Sequence, residues 1–96
     1  MNVVFKPNAE DTLREIAEFV DDMNVSGAGE RWAVKFVAVI YKYANIKSIK
    51  TFPLCSNELL ALEGMSCIIY KGWVIAFKVE NKNLVVYQII KGSLLY

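Results

Sequence analysis

Apolar and polar residues change their spacing twice along this chain of 96 residues, and each change marks a new kind of element. Residues 2–5 are mostly β-branched or aromatic and run into Pro7, which reads as an opening strand followed by the first turn of a helix. Ala9, Leu13, Ile16, Ala17, Val20 and Met23 then recur at helical spacing, with Glu10, Asp11, Arg14, Glu15, Glu18 and Asp22 on the other side. This pattern predicts an amphipathic helix, broken by Asn24 and by Ser26-Gly27-Ala28-Gly29. Residues 30–44 are rich in valine and isoleucine. Trp32, Phe36, Val39, Ile40 and Tyr43 nevertheless keep a spacing of three and four, and fifteen residues is long for a strand. A second helix, folded back on the first through the glycine turn, completes a helical hairpin.

Between residues 45 and 64 the pattern loosens. Phe52-Pro53-Leu54 reads as a connector, and residues 56–62 as one short helical turn capped by Ser56 or Asn57. From residue 66 to 91 the period falls to two, giving three strands separated by Gly72 and by Asn81-Lys82-Asn83. Trp73, Ile75, Phe77 and Val79 share one face of the middle strand, with Val74, Ala76, Lys78 and Glu80 on the other. A tight turn pairs position 78 with 85 or 87. Either register places Lys78, Tyr87, Ile89 and Lys91 together, and leaves Leu84, Val86, Gln88 and Ile90 with Trp73 on the face that seats the helices. The expected fold class is α+β, a helical hairpin packed on one face of a small antiparallel sheet.

Composition narrows the picture. Hydrophobic residues make up 55% of the chain and aromatics 12%, which places it among folding domains, and its length fits a single core. No apolar run reaches the roughly 18 residues of a membrane span. MNVVFKPNAED lacks the basic-then-apolar layout of a signal peptide, so a cytosolic protein is expected. Cys55 and Cys67 form no Cys-x-x-Cys pair, and without histidine they cannot complete the usual four-ligand zinc site. They read as two reduced, partly buried thiols in a reducing compartment. The net charge of +1 is unevenly placed: residues 1–34 carry −4 and residues 35–96 carry +5. The C-terminal half can therefore receive a polyanion or an acidic partner.

The order strand, helical hairpin, three-stranded meander, together with local matches, resembles the RelE/ParE superfamily of type II toxin–antitoxin toxins. VVFKPNAEDTLREIAEF is similar to that family's opening strand, proline and amphipathic helix. LEGMSCIIYKGWVIAFKVENKNLVVYQIIKG is similar to its leucine–glycine element and tyrosine-rich hairpin. The resemblance implies a small bacterial toxin, free of cofactor and metal, neutralised by a cognate antitoxin that wraps across its surface. Family members divide into ribosome-dependent mRNA endonucleases and inhibitors of DNA gyrase. Carried over by position, the resemblance makes Lys78, Lys91 and Tyr96 the candidate catalytic set. Lys71, Lys78, Tyr87 and Lys91 form the candidate partner surface.

Two departures bear on activity. Val74 stands where the family usually has arginine, and the basic cluster after the last strand is reduced to Lys91-Gly92-Ser93. RNA cleavage without metal or histidine needs a base for the 2′-hydroxyl, an acid for the leaving oxygen and fixed cations for the developing charge. Lysines supply charge and tyrosine can donate a proton, but neither is a strong base near neutral pH at its ordinary pKa. A pI of about 7.7 is also low for a small domain that docks into ribosomal RNA. The expected function is that of a toxin that inhibits a macromolecule such as DNA gyrase by binding. The alternatives are a ribosome-dependent mRNA endoribonuclease and a degenerate, non-toxic member that binds an antitoxin.

Overall fold

The computed structural model describes residues 1–94. Strand β1 (Asn2–Phe5) leads into helix α1 (Pro7–Met23), with Pro7 in the first turn, where its missing N–H leaves no donor unpaired. Helix α2 (Ala28–Ala44) returns after a turn at Gly27, whose φ of 89° lies in the left-handed region. Gly29, expected in the turn, lies inside α2. There its N–H donates to Asp21 Oδ1 at 2.8 Å, so a carboxylate of the first helix caps the second. A short helix α3 (Glu58–Leu62) follows, with the Asn57 side chain accepting from the Leu60 N–H. Strands β2 (Ser66–Tyr70), β3 (Trp73–Glu80) and β4 (Asn83–Lys91) complete the chain's meander. Among the described residues no helix is long and apolar enough to cross a membrane.

The sheet order is β1-β4-β3-β2. The meander is antiparallel as expected, but β1 pairs parallel to β4, so the sheet as a whole is mixed. The intervening helical hairpin allows this, because a parallel pair needs a long crossover between its strands. Both tight turns have two central residues at positive φ, Lys71-Gly72 and Asn81-Lys82, the geometry that matches strand twist in a hairpin. The second turn sets Lys78 opposite Val85.

The helical hairpin covers one face of the sheet. Ala9, Phe36, Ile40 and Ala44 are buried there against Ile68, Ile75, Phe77, Leu84, Val86 and Ile89, with Trp32, Trp73 and Val79 packed at the margin. Met23, assigned by its spacing to the apolar side of α1, is instead 68% exposed, because it lies in the final turn of that helix.

Two further expectations are corrected. The register of β3 with β4 shifts between Ala76 and Phe77: Phe77 pairs with Val86, but Ala76 pairs with Gln88. Tyr87 is the inserted residue of a β-bulge, and every residue of β4 beyond it is displaced by one position. Ile89 and Lys91 therefore join the helix-covered face opposite Ile75 and Trp73, while Gln88 and Ile90 move to the other. Second, Cys55 and Cys67 are joined in a disulfide, with Cα atoms 5.0 Å apart, rather than standing as reduced thiols. Their twelve-residue separation places the partners on a connector and on the edge strand, a proximity that only folding creates. A disulfide persists in oxidising surroundings, so the cysteines give no support to a reducing compartment.

The second face is consequently not a bare working surface. Cys55, Leu60, Met65 and Ala76 form a smaller buried cluster on it, with Cys67, Tyr87 and Ile90 packed alongside.

Candidate partner-binding surface

Tyr87 organises the part of the second face that α3 leaves open. Alternation along β4 from Val85, the partner of Lys78, places this side chain on the Lys78 side of the sheet, and the register shifts only beyond it. Lys78 Nζ lies 5.1 Å from the centre of the Tyr87 ring, and Lys6 Nζ lies 5.2 Å from the same ring. Lys6 reaches it because its backbone N–H continues the β1–β4 pairing, donating to the Val86 carbonyl at 2.9 Å. Two ammonium groups thus share one aromatic platform, each gaining about 0.5–1 kcal/mol from the ring at an exposed site. Among the described residues the ion pair within 4 Å is that of Arg14 and Asp11, so neither lysine is in direct contact with a carboxylate there.

The Tyr87 hydroxyl donates a hydrogen bond to Glu80 Oε1. That bond raises the Tyr87 pKa above the ordinary phenol value, with partial burial and the nearby negative charge acting in the same direction. Because the folded-state pKa is raised, the associated stability is fully present below about pH 10 and is lost as pH rises through the raised value. In an alkaline titration followed by tyrosinate absorbance, the component removed by Tyr87→Phe is expected to ionise above the free phenol. Glu80→Gln is expected to bring it down. Identical titrations for Glu80→Gln and the parent chain would show that Glu80 does not hold the hydroxyl.

Beside this cluster the sheet has a notch. Strand β2 begins opposite Phe77, so residues 78–80 of β3 run on without a β2 partner. The gap is a shallow cleft of about 310 Å³ lined by Lys50, Phe52, Leu54, Ser66, Lys78 and Glu80. Lys50 and Lys78 contribute positive charge and Phe52 and Leu54 apolar contact, a combination suited to an extended acidic-apolar segment.

Of the residues expected to form the site, Lys78 and Tyr87 are brought together. Lys91 is paired opposite Trp73 on the helix-covered face, and Lys71 occupies the neighbouring turn with its ammonium 5.5 Å from the Tyr70 ring centre. The Gly92 N–H donates to the Gly72 carbonyl at 2.7 Å, joining these two positions at the end of β3 remote from Lys78. The separation along the strand is roughly 17 Å. Tyr96 lies outside the described residues. Lys6, Lys50 and Glu80 were not singled out by sequence. Lys6 and Lys50 precede the meander by many residues, and only the parallel placement of β1 and the fold of the connector bring them to it.

The chain matches no protein-family model and no curated protein.

Proposed function

We propose that this protein is a toxin of a type II toxin–antitoxin system that acts by binding a macromolecular target such as DNA gyrase, and that a cognate antitoxin masks the same surface. The observation that favours binding over RNA cleavage is the separation of Lys78 from Lys91. They lie on opposite faces of the sheet and at opposite ends of the β3–β4 hairpin, so they cannot hold one scissile phosphate between them. The tyrosine beside Lys78 is a poor proton donor to substrate, since its hydroxyl is engaged by Glu80 and its pKa is raised. What remains is a cationic and aromatic surface formed by Lys6, Lys50, Lys78 and Tyr87, which suits an acidic protein segment.

Expression without a partner in a bacterial host tests the proposal. Growth arrest with intact transcripts and induction of DNA-damage signalling is the expected result, and Lys6→Glu/Lys78→Glu is expected to weaken it while leaving the chain folded. Primer-extension mapping that finds codon-positioned cuts, abolished by Lys78→Ala, Lys91→Ala or Tyr96→Phe, would establish the endoribonuclease instead. No arrest from a folded, well-expressed chain would leave a non-toxic antitoxin-binding protein.

A further inference from the structure

The segment between Cys55 and Cys67 lies across the second face of the sheet. Helix α3 has five residues, too short to be stable by itself, and Leu59 and Leu62 are 74% and 83% exposed. Its attachment includes the buried side chains of Cys55, Leu60 and Met65, the hydrogen bonds from the Cys55 N–H to the Met65 carbonyl and from Ser66 Oγ to the Phe52 carbonyl, and the disulfide. Without the covalent link, these buried side chains and hydrogen bonds alone must offset the conformational entropy of the whole segment. The disulfide is the covalent part of that attachment. It is also packed in the same cluster as Tyr87, the platform for Lys6 and Lys78.

We infer that Cys55–Cys67 is a site of thiol–disulfide exchange at which a small dithiol releases the α3 segment and uncovers the second face of the sheet. Cys55 is buried and Cys67 half-buried, so the reductant's thiolate attacks the Cys67 sulfur. A mixed disulfide forms with Cys67, and Cys55 leaves as a thiolate that takes up a proton. The second thiol of the reductant, as thiolate, then attacks its own partner sulfur, forming the reductant's intramolecular disulfide and releasing the Cys67 thiolate, which is protonated in turn. The protein disulfide gains two electrons and two protons, and the dithiol loses the same. Opening removes the support that Leu60 and Met65 give to Ala76, Tyr87 and Ile90. The opening itself does not depend on which target the surface binds; its effect on binding rests on the function proposed above.

Hydrogen exchange on the full chain, oxidised and after reduction by dithiothreitol, tests this. Mass spectrometry after alkylation counts the thiols in each sample. In the oxidised chain the amides of Cys55, Leu60, Ala61, Gly64 and Met65 are expected to be protected. In the reduced chain they are expected to exchange within about tenfold of the unstructured rate, while α1, α2 and β3 stay protected. Cys55→Ala/Cys67→Ala is expected to reproduce the reduced pattern without reductant. Protection that survives complete reduction would overturn the inference, as would loss of protection across the entire chain or failure of the oxidised protein to form the disulfide. Growth assays distinguish the two proposals: a chain that opens on reduction yet causes no arrest would retain the exchange site and reject the toxin reading.

Discussion

Gly29→Ala is expected to destabilise the protein by about 3–5 kcal/mol, more than its small change in volume suggests. An alanine Cβ at this position would lie 2.0 Å from the Ala17 carbonyl oxygen and 2.9 Å from the Ala17 carbonyl carbon. Both atoms belong to the backbone of the neighbouring helix, so no rotamer change relieves the overlap. The two helices must separate, and separation also stretches the Asp21 Oδ1 bond to the Gly29 N–H. Gly64→Ala is the control: nothing lies within 4 Å of a Cβ there, and only its left-handed backbone, with φ of 78°, disfavours a side chain. Its cost is expected to be about 1 kcal/mol. Urea denaturation of the two variants measures the difference. Equal midpoints would mean that the helices do not touch at Gly29.

Phe77→Ala is expected to cost about 3–5 kcal/mol and Lys78→Ala about 1 kcal/mol or less. Phe77 is 1% exposed within the main core, its ring 5.8 Å from that of Phe52. Truncation leaves a cavity beneath the helical hairpin, and rigid β-branched neighbours on three strands limit how far it can collapse. Lys78 is the next residue along β3 and faces the other way, where its loss removes one cation from the Tyr87 ring. The size of the contrast is the test. Comparable losses in denaturation midpoint would show that the face assignment of β3 is wrong.

Between these two positions lies most of what could be read without a structure. Local periodicity determined the elements: the spacing of Leu13, Ile16 and Val20 requires a helix if they are to share a face, and the alternation through Trp73, Ile75, Phe77 and Val79 requires a strand. It likewise placed Lys78 on the face opposite Phe77 and carried the α+β arrangement of a helical hairpin on a meander. These features were legible because a repeating pattern of burial depends only on neighbours within a few residues.

The tertiary structure decided the rest, and each case turns on a relation between residues distant in sequence or on a single local break in a repeat. One inserted residue at Tyr87 reverses the faces of Ile89, Ile90 and Lys91, and a run with adjacent apolar residues such as Leu84 to Ile90 carries no mark of where a bulge falls, since both registers bury isoleucine. The bond between Cys55 and Cys67 depends on how the connector crosses the edge strand, whereas their spacing is equally compatible with free thiols. Lys6 meets Lys78 over Tyr87 because β1 inserts parallel to β4, a pairing made across more than seventy residues of chain. Sequence determined which elements form and the buried face of a regular strand such as β3; only the packed chain determined where the faces of β4 reverse and which charges meet on the surface that remains.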